Sequence, residues 1–280
     1  SNLSRFDYCL SLTENPMPVG LRTTVCNGAL LPAADADVIA NTGEFPISRR
    51  APDDALVTLS TFTIVEPAKP AQGKAAARRL IAYDPDKNAW LKAEGYVPQV
   101  DIDPVTSYLH DVHEEYGCTE DATTCFYQHR LPERAYKHRV FQDAAGRKWY
   151  LMVGNMGGCE WPEIAHRATS TIAGHPLYAK PPYVTHGVKR QVIIDNVRFA
   201  GSKHAVQEAK ARFLTNAALS RTSLNDADRQ EGTQYDFAGL WWNHDTKQVS
   251  VRQSTIDRLP SQIHADISVA ELESTLSRLV

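Results

Sequence analysis

The stretch Gln191-Val-Ile-Ile-Asp-Asn-Val-Arg-Phe199, followed by residues Lys203 to Leu219, reads as a strand running into a helix. β-Branched residues dominate the first part, and Val206, Ala209, Phe213 and Ala217 recur at helical spacing in the second. Downstream, Gly239 to Ser254 reads as a hairpin turning at Asn243-His-Asp-Thr-Lys247. The chain closes on a capping box, Ser268-Val-Ala-Glu271, whose helix has Val269, Leu272, Leu276 and Leu279 as its core stripe. Upstream, a helix starts near Trp161-Pro162 with Ile164, Ala168 and Ile172 inward, and a hairpin runs from His138 to Val153 around Asp143-Ala-Ala-Gly146. Asp103 and Pro104 supply the cap and first residue of a helix carrying Val105, Tyr108, Leu109, Val112 and Tyr116. A further hairpin is expected over Arg78 to Lys92, turning at Asp84-Pro-Asp-Lys-Asn88, where proline presets one turn dihedral. Strands are expected over Arg5 to Thr13, Gly20 to Leu31 and Ala55 to Glu66.

Three hairpins and four separated helices, without regular strand–helix alternation, predict an α+β fold of mostly antiparallel sheet. The Pro/Gly/Lys connector from Glu66 to Lys74 suggests an N-terminal β-rich region, 1–70, and an α+β region, 71–280, or one continuous domain. The string from Tyr83 to Trp90 resembles the turn of a kelch propeller blade. It occurs once, with neither a Gly-Gly doublet nor a repeat at about 50 residues, so no propeller is expected.

The chain has 280 residues, 42% of them apolar and 22% charged, which is enough to bury a core and excludes a disordered chain. No stretch approaches the roughly 18 uninterrupted apolar residues of a membrane span. With 30 basic and 33 acidic residues, the net charge of -3 argues against a nucleic-acid partner.

Five cysteines stand at 9, 26, 118, 125 and 159. Cys9 and Cys26 fall on the two expected N-terminal strands, and Cys118 and Cys125 close a polar loop too short to hold itself by packing. Two local disulfides with Cys159 left over predict an oxidising compartment, periplasmic or secreted. The opening Ser1-Asn2-Leu3 carries no targeting segment and reads as a cloning remnant, compatible with a removed signal peptide or a lipid anchor upstream. Zinc is disfavoured because no Cys-x2-4-Cys pair is present.

Candidate chemistry is sparse. Cys159, just before a helix, would feel the positive end of the helix dipole, which favours thiolate. Its flanks, Gly157-Gly-Cys159-Glu-Trp161, resemble the cysteine neighbourhood of papain-like proteases, but the position in the chain and the glycine/cysteine pattern differ. His166, His175 and His186 are the nearest bases in sequence. His110 and His113 lack the four-residue spacing and intervening glutamate of a zinc protease. There is no Gly-x-Ser-x-Gly elbow, phosphate-binding loop or Gly-x-Gly-x-x-Gly turn. Asp84, Asp86 and Asn88 begin like a calcium loop but lack its glycine and closing glutamate. Neither cofactor nor metal is expected.

One region stands out. Between Lys92 and Arg130 there is no lysine or arginine, while Glu94, Asp101, Asp103, Asp111, Glu114, Glu115, Glu120 and Asp121 supply eight acids. Tyr96, Tyr108, Tyr116, Phe126 and Tyr127 are interleaved, as in a protein-binding surface. In Leu240-Trp241-Trp242, adjacent strand residues face opposite ways, which makes Trp242 a second candidate contact.

In size, paired cysteines, acidic region and lack of a catalytic motif, the chain resembles bacterial periplasmic immunity proteins of lipase or phospholipase toxins delivered by type VI secretion. The resemblance implies a non-enzymatic inhibitor that occludes a cognate toxin through Asp111, Glu114, Glu115, Tyr116, Glu120, Asp121, Phe126, Tyr127 and Trp242. The alternatives are an envelope hydrolase using Cys159 and a histidine, and a non-catalytic adaptor lipoprotein.

Overall fold

The computed structural model describes residues 2–14, 17–22, 30–42, 46–66, 77–252 and 256. Among the described residues, eight α-helices and twelve strands, all paired antiparallel within the sheets, make the expected α+β fold. In chain order they are α1 (Asn2–Glu14), α2 (Ala33–Ala40), β1 (Ser48–Arg50), β2 (Ser60–Glu66), β3 (Ala77–Tyr83), α3 (Pro85–Ala93), α4 (Val105–Tyr108), β4 (Tyr116–Asp121), α5 (Cys125–Gln128) and α6 (Glu133–Tyr136). There follow β5 (Val140–Gln142), β6 (Lys148–Leu151), α7 (Trp161–Ile172), β7 (Lys189–Ile193), β8 (Asn196–Gly201), α8 (Lys203–Leu219), β9 (Gln230–Gly232), β10 (Gln234–Phe237), β11 (Leu240–Asn243) and β12 (Gln248–Val251). No described helix is long and apolar enough to cross a membrane.

The chain forms two compact units, each built from two segments: 1–99 with 124–165, and 100–123 with 166–280. In the first, a β1-β6-β5 sheet and the β2–β3 pair supply Leu80, Phe141, Trp149 and Leu151 to a core that Leu31 and Leu59 complete. A second cluster joins Cys9 and Leu12 of α1 to Leu91, Tyr96, Trp161 and Ile164. In the second unit, β7-β8-β4-β9 form a sheet. Cys118, Val197 and Phe199 pack with Val206, Ala209 and Phe213 of α8. The β10-β11-β12 sheet packs Tyr235, Phe237 and Trp242 with Tyr108 and Val112.

Several expectations are corrected. Residues Arg5 to Thr13 are helical rather than extended, because Cys9, Leu12 and Thr13 are buried while Tyr8 is exposed, a spacing of three to four instead of two. The segment Arg78 to Lys92 is a strand followed by a helix. Asp84 accepts from the backbone N–H of Lys87 at 3.1 Å and Pro85 opens the helix, so the residues read as a turn are an N-cap. The strand expected from Ala55 starts at Ser60. Residues 191–199 are two strands joined by Ile194 and Asp195. No boundary falls at residue 70. Cys118 lies inside β4 and Cys125 begins α5 in the other unit, and no disulfide joins described cysteines. Cys26, most of the Gly20 to Leu31 strand and the Ser268-to-Glu271 capping box with its helix lie outside the described residues.

Candidate active site

The β7–β8 hairpin turns in only two residues, Ile194 and Asp195, and Ile194 has φ of 56°. A β-branched side chain at positive φ is a genuine outlier, and such strain collects at functional sites. Antiparallel pairing places Asn196, the first residue of β8, opposite Asp121, the last of β4. Just past that pair, the Ala122 N–H donates to the Asp195 carbonyl at 3.2 Å, and the Asn225 N–H donates to the Asp121 carbonyl at 2.8 Å. The Asn196 amide also donates to Asp195 Oδ1 at 3.3 Å. Asp121 and Asp195 are half-buried and Asn196 is exposed. One end of the sheet thus displays two aspartates and an asparagine on neighbouring strand ends.

Behind this end the sheet is packed on both faces. Val197 and Phe199 face α8, while Arg198, fully buried, faces the cluster around Tyr108, Tyr235 and Trp242. Gly117 of β4 allows the Tyr235 ring to lie against its backbone, since a Cβ there would overlap the ring.

The residues singled out from sequence do not form one surface. Asp111 is buried beside Arg198, with Nη1 to Oδ2 at 3.0 Å. Glu120 is buried beside Arg229, with Nε contacts of 2.8 and 2.9 Å; burial pushes its pKa up and the guanidinium opposes that. Glu115 is exposed, Glu114 half-buried, and Tyr116 donates to Glu231 at 3.3 Å. Trp242 is core, stacked with Tyr108 and Tyr235. Phe126 and Tyr127 belong to the other unit, where Tyr127 donates to the Leu80 carbonyl. Of the set, only Asp121 stands at the hairpin turn. Burial raises the Cys159 thiol pKa, the opposite of what a nucleophile needs. His110 and His113 are exposed.

Sequence reading missed Asp195 and Asn196. Their signal was present: two polar turn formers interrupt the run Val192-Ile-Ile-Asp-Asn-Val197, which marks a tight hairpin turn.

No family model and no curated protein matches this chain. Solved structures do. The foamy viral protease-reverse transcriptase dRH in complex with double-stranded DNA superposes with a TM-score of 0.61 at 12% identity, over 94% of this chain and 44% of that one. The foamy viral protease-reverse transcriptase in complex with double-stranded DNA gives 0.59 at 13% identity, over 94% and 50%. The native prototype foamy virus protein gives 0.52 at 12% identity, over 80% and 28%. The likeness is one of fold. The chain spans half or less of the length of these proteins.

Proposed function

We propose that this chain is a template-directed nucleotidyl transferase of the reverse-transcriptase kind, with Asp121 and Asp195 as its metal-holding carboxylates. The observation that carries the reading is the meeting of Asp121 with the strained Ile194-Asp195 turn, in a chain whose fold matches foamy viral protease-reverse transcriptases.

The donor set suits magnesium. Among the described residues no three His, Cys, Asp or Glu side chains gather closely enough to cage an ion. Mg²⁺ is commonly held by one or two carboxylates with substrate phosphates and waters completing its shell. When bound, it would offset the charge that develops on the phosphoryl oxygens as a primer 3′-hydroxyl attacks and pyrophosphate leaves. The chain's own part is placement. The Asn196 amide orients Asp195 by donating to Oδ1, and the short turn holds the Asp195 backbone beside the end of β4, where its carbonyl accepts from the Ala122 N–H.

This reading departs from the expectation of a protein partner without nucleic acid. Net charge averages an acidic stretch with a basic remainder. An immunity-type inhibitor gains nothing from these neighbours, and two of the acids it relied on are buried in ion pairs. The test is template-directed incorporation. With Mg²⁺ or Mn²⁺, the protein should add dTMP to oligo(dT) on poly(rA) and dGMP to oligo(dG) on poly(rC), and not the reverse. Incorporation indifferent to the template, or none with either metal, counts against the proposal.

A further inference from the structure

Arg198 is an unusual residue to find at zero exposure in the middle of a sheet. It sits on β8 two residues after Asn196, directly across the hairpin from Gln191 of β7. Its Nη1 donates to Asp111 Oδ2 at 3.0 Å and to Gln191 Oε1 at 2.5 Å, and Gln191 Nε2 donates to the same Asp111 oxygen at 3.1 Å. Its Nε donates to the Tyr235 hydroxyl at 2.9 Å. That hydroxyl lies 2.9 Å from His244 Nε2, and His244 Nδ1 lies 3.1 Å from the Val112 carbonyl. With burial keeping His244 neutral and Tyr235 protonated, each group in the chain donates to the next. The guanidinium carbon is 3.9 Å from the Trp242 ring centroid.

Asp111 belongs to the 3₁₀ turn Leu109–His113, from which the chain passes through Glu114 and Glu115 straight into β4. One carboxylate oxygen therefore ties both strands of the hairpin that displays Asp195 to the segment leading into the strand that displays Asp121. Stability alone gives little reason for this, because a buried ion pair is often matched or bettered by apolar side chains of similar size. What the pair supplies is a fixed register: Nε and Nη1 of Arg198 are bonded to groups on three separate segments, while Nη2 is buried without a hydrogen-bond partner.

We propose that Arg198, acting through Asp111 and Gln191, is a positioning residue that sets the spacing of the Asp121 and Asp195 carboxylates. The inference rests on reading those two aspartates as a metal-holding pair.

The test is Mn²⁺ binding to the protein alone, followed by electron paramagnetic resonance, beside primer-extension kinetics. The paired substitution Asp111→Leu with Arg198→Met removes both charges and should keep the fold. Its Mn²⁺ dissociation constant should rise about tenfold, the usual scale for losing an outer partner of a metal ligand, with kcat falling more than KM for nucleotide changes. Gln191→Met leaves the ion pair intact, serves if the paired variant does not fold, and should weaken Mn²⁺ about threefold. Folded variants that bind Mn²⁺ as the wild type does overturn this inference alone. A wild-type protein whose Mn²⁺ binding is absent, or indifferent to Asp195→Asn, overturns the underlying reading and this inference with it.

Discussion

Asn196 faces Asp121 across the β4–β8 ladder and donates to Asp195, so the site has two carboxylates where three could stand. Asn196→Asp would turn the amide into a third carboxylate and raise the charge count, which tightens a hard cation. The Mg²⁺ concentration giving half-maximal primer extension should fall severalfold. An unchanged or higher requirement would place Asn196 outside the metal's reach. A second residue gives a pH signature. Burial holds His129 at a pKa of about 4, against 6.5 for the free side chain. Its imidazole stays neutral when folded but takes a proton when unfolded, so stability is lost as pH falls from about 6.5 toward 4. Between pH 7.5 and 5 this one group should cost about 2 kcal/mol. Urea midpoints at the two pH values measure that loss, and His129→Gln should reduce it. At this scale the sequence was only partly legible. Asp121 was visible as an acid, but its nearness to Asp195 is a 74-residue separation closed by strand pairing, which no local pattern reports.

Among the elements, those whose local signals and tertiary contacts agree were readable, notably α8 and the β5–β6 and β11–β12 hairpins. Where two local readings compete, packing decides. Asp84-Pro85 suits a turn and a helix start equally, and the helix wins because Leu91 of α3 packs with Leu12 and Trp161 while the Arg22 guanidinium bonds both Asp84 oxygens, at 3.1 and 3.0 Å. Asp84→Ala removes the cap and leaves Arg22 without that partner, so unfolding free energy should drop by about 3 kcal/mol in chemical denaturation. The 191–199 segment was read as one strand because its apolar run masks the turn. The strain in that turn is testable by Ile194→Gly, which relieves about 1 kcal/mol or more of backbone cost. Melting temperature should hold or rise despite the lost side chain, while extension slows. A fall of more than about 5 °C would mean that Ile194 packing outweighs its strain.

Over the whole molecule, the α+β class follows from hairpins without strand–helix alternation, and the structure has it. The division into units does not follow, because each unit draws on two distant segments and the chain passes between the units at three places. Net charge is a sum, whereas a ligand meets a face, and the acids of 93–129 include two withdrawn into buried ion pairs. Two carboxylates carry the proposed chemistry, and the most direct measurement compares primer extension by the wild type with Asp121→Asn and Asp195→Asn under Mg²⁺. Each variant should fold like the wild type and lose about a thousandfold in rate, equivalent to about 4 kcal/mol of transition-state stabilisation. Extension at the wild-type rate by either variant would contradict it.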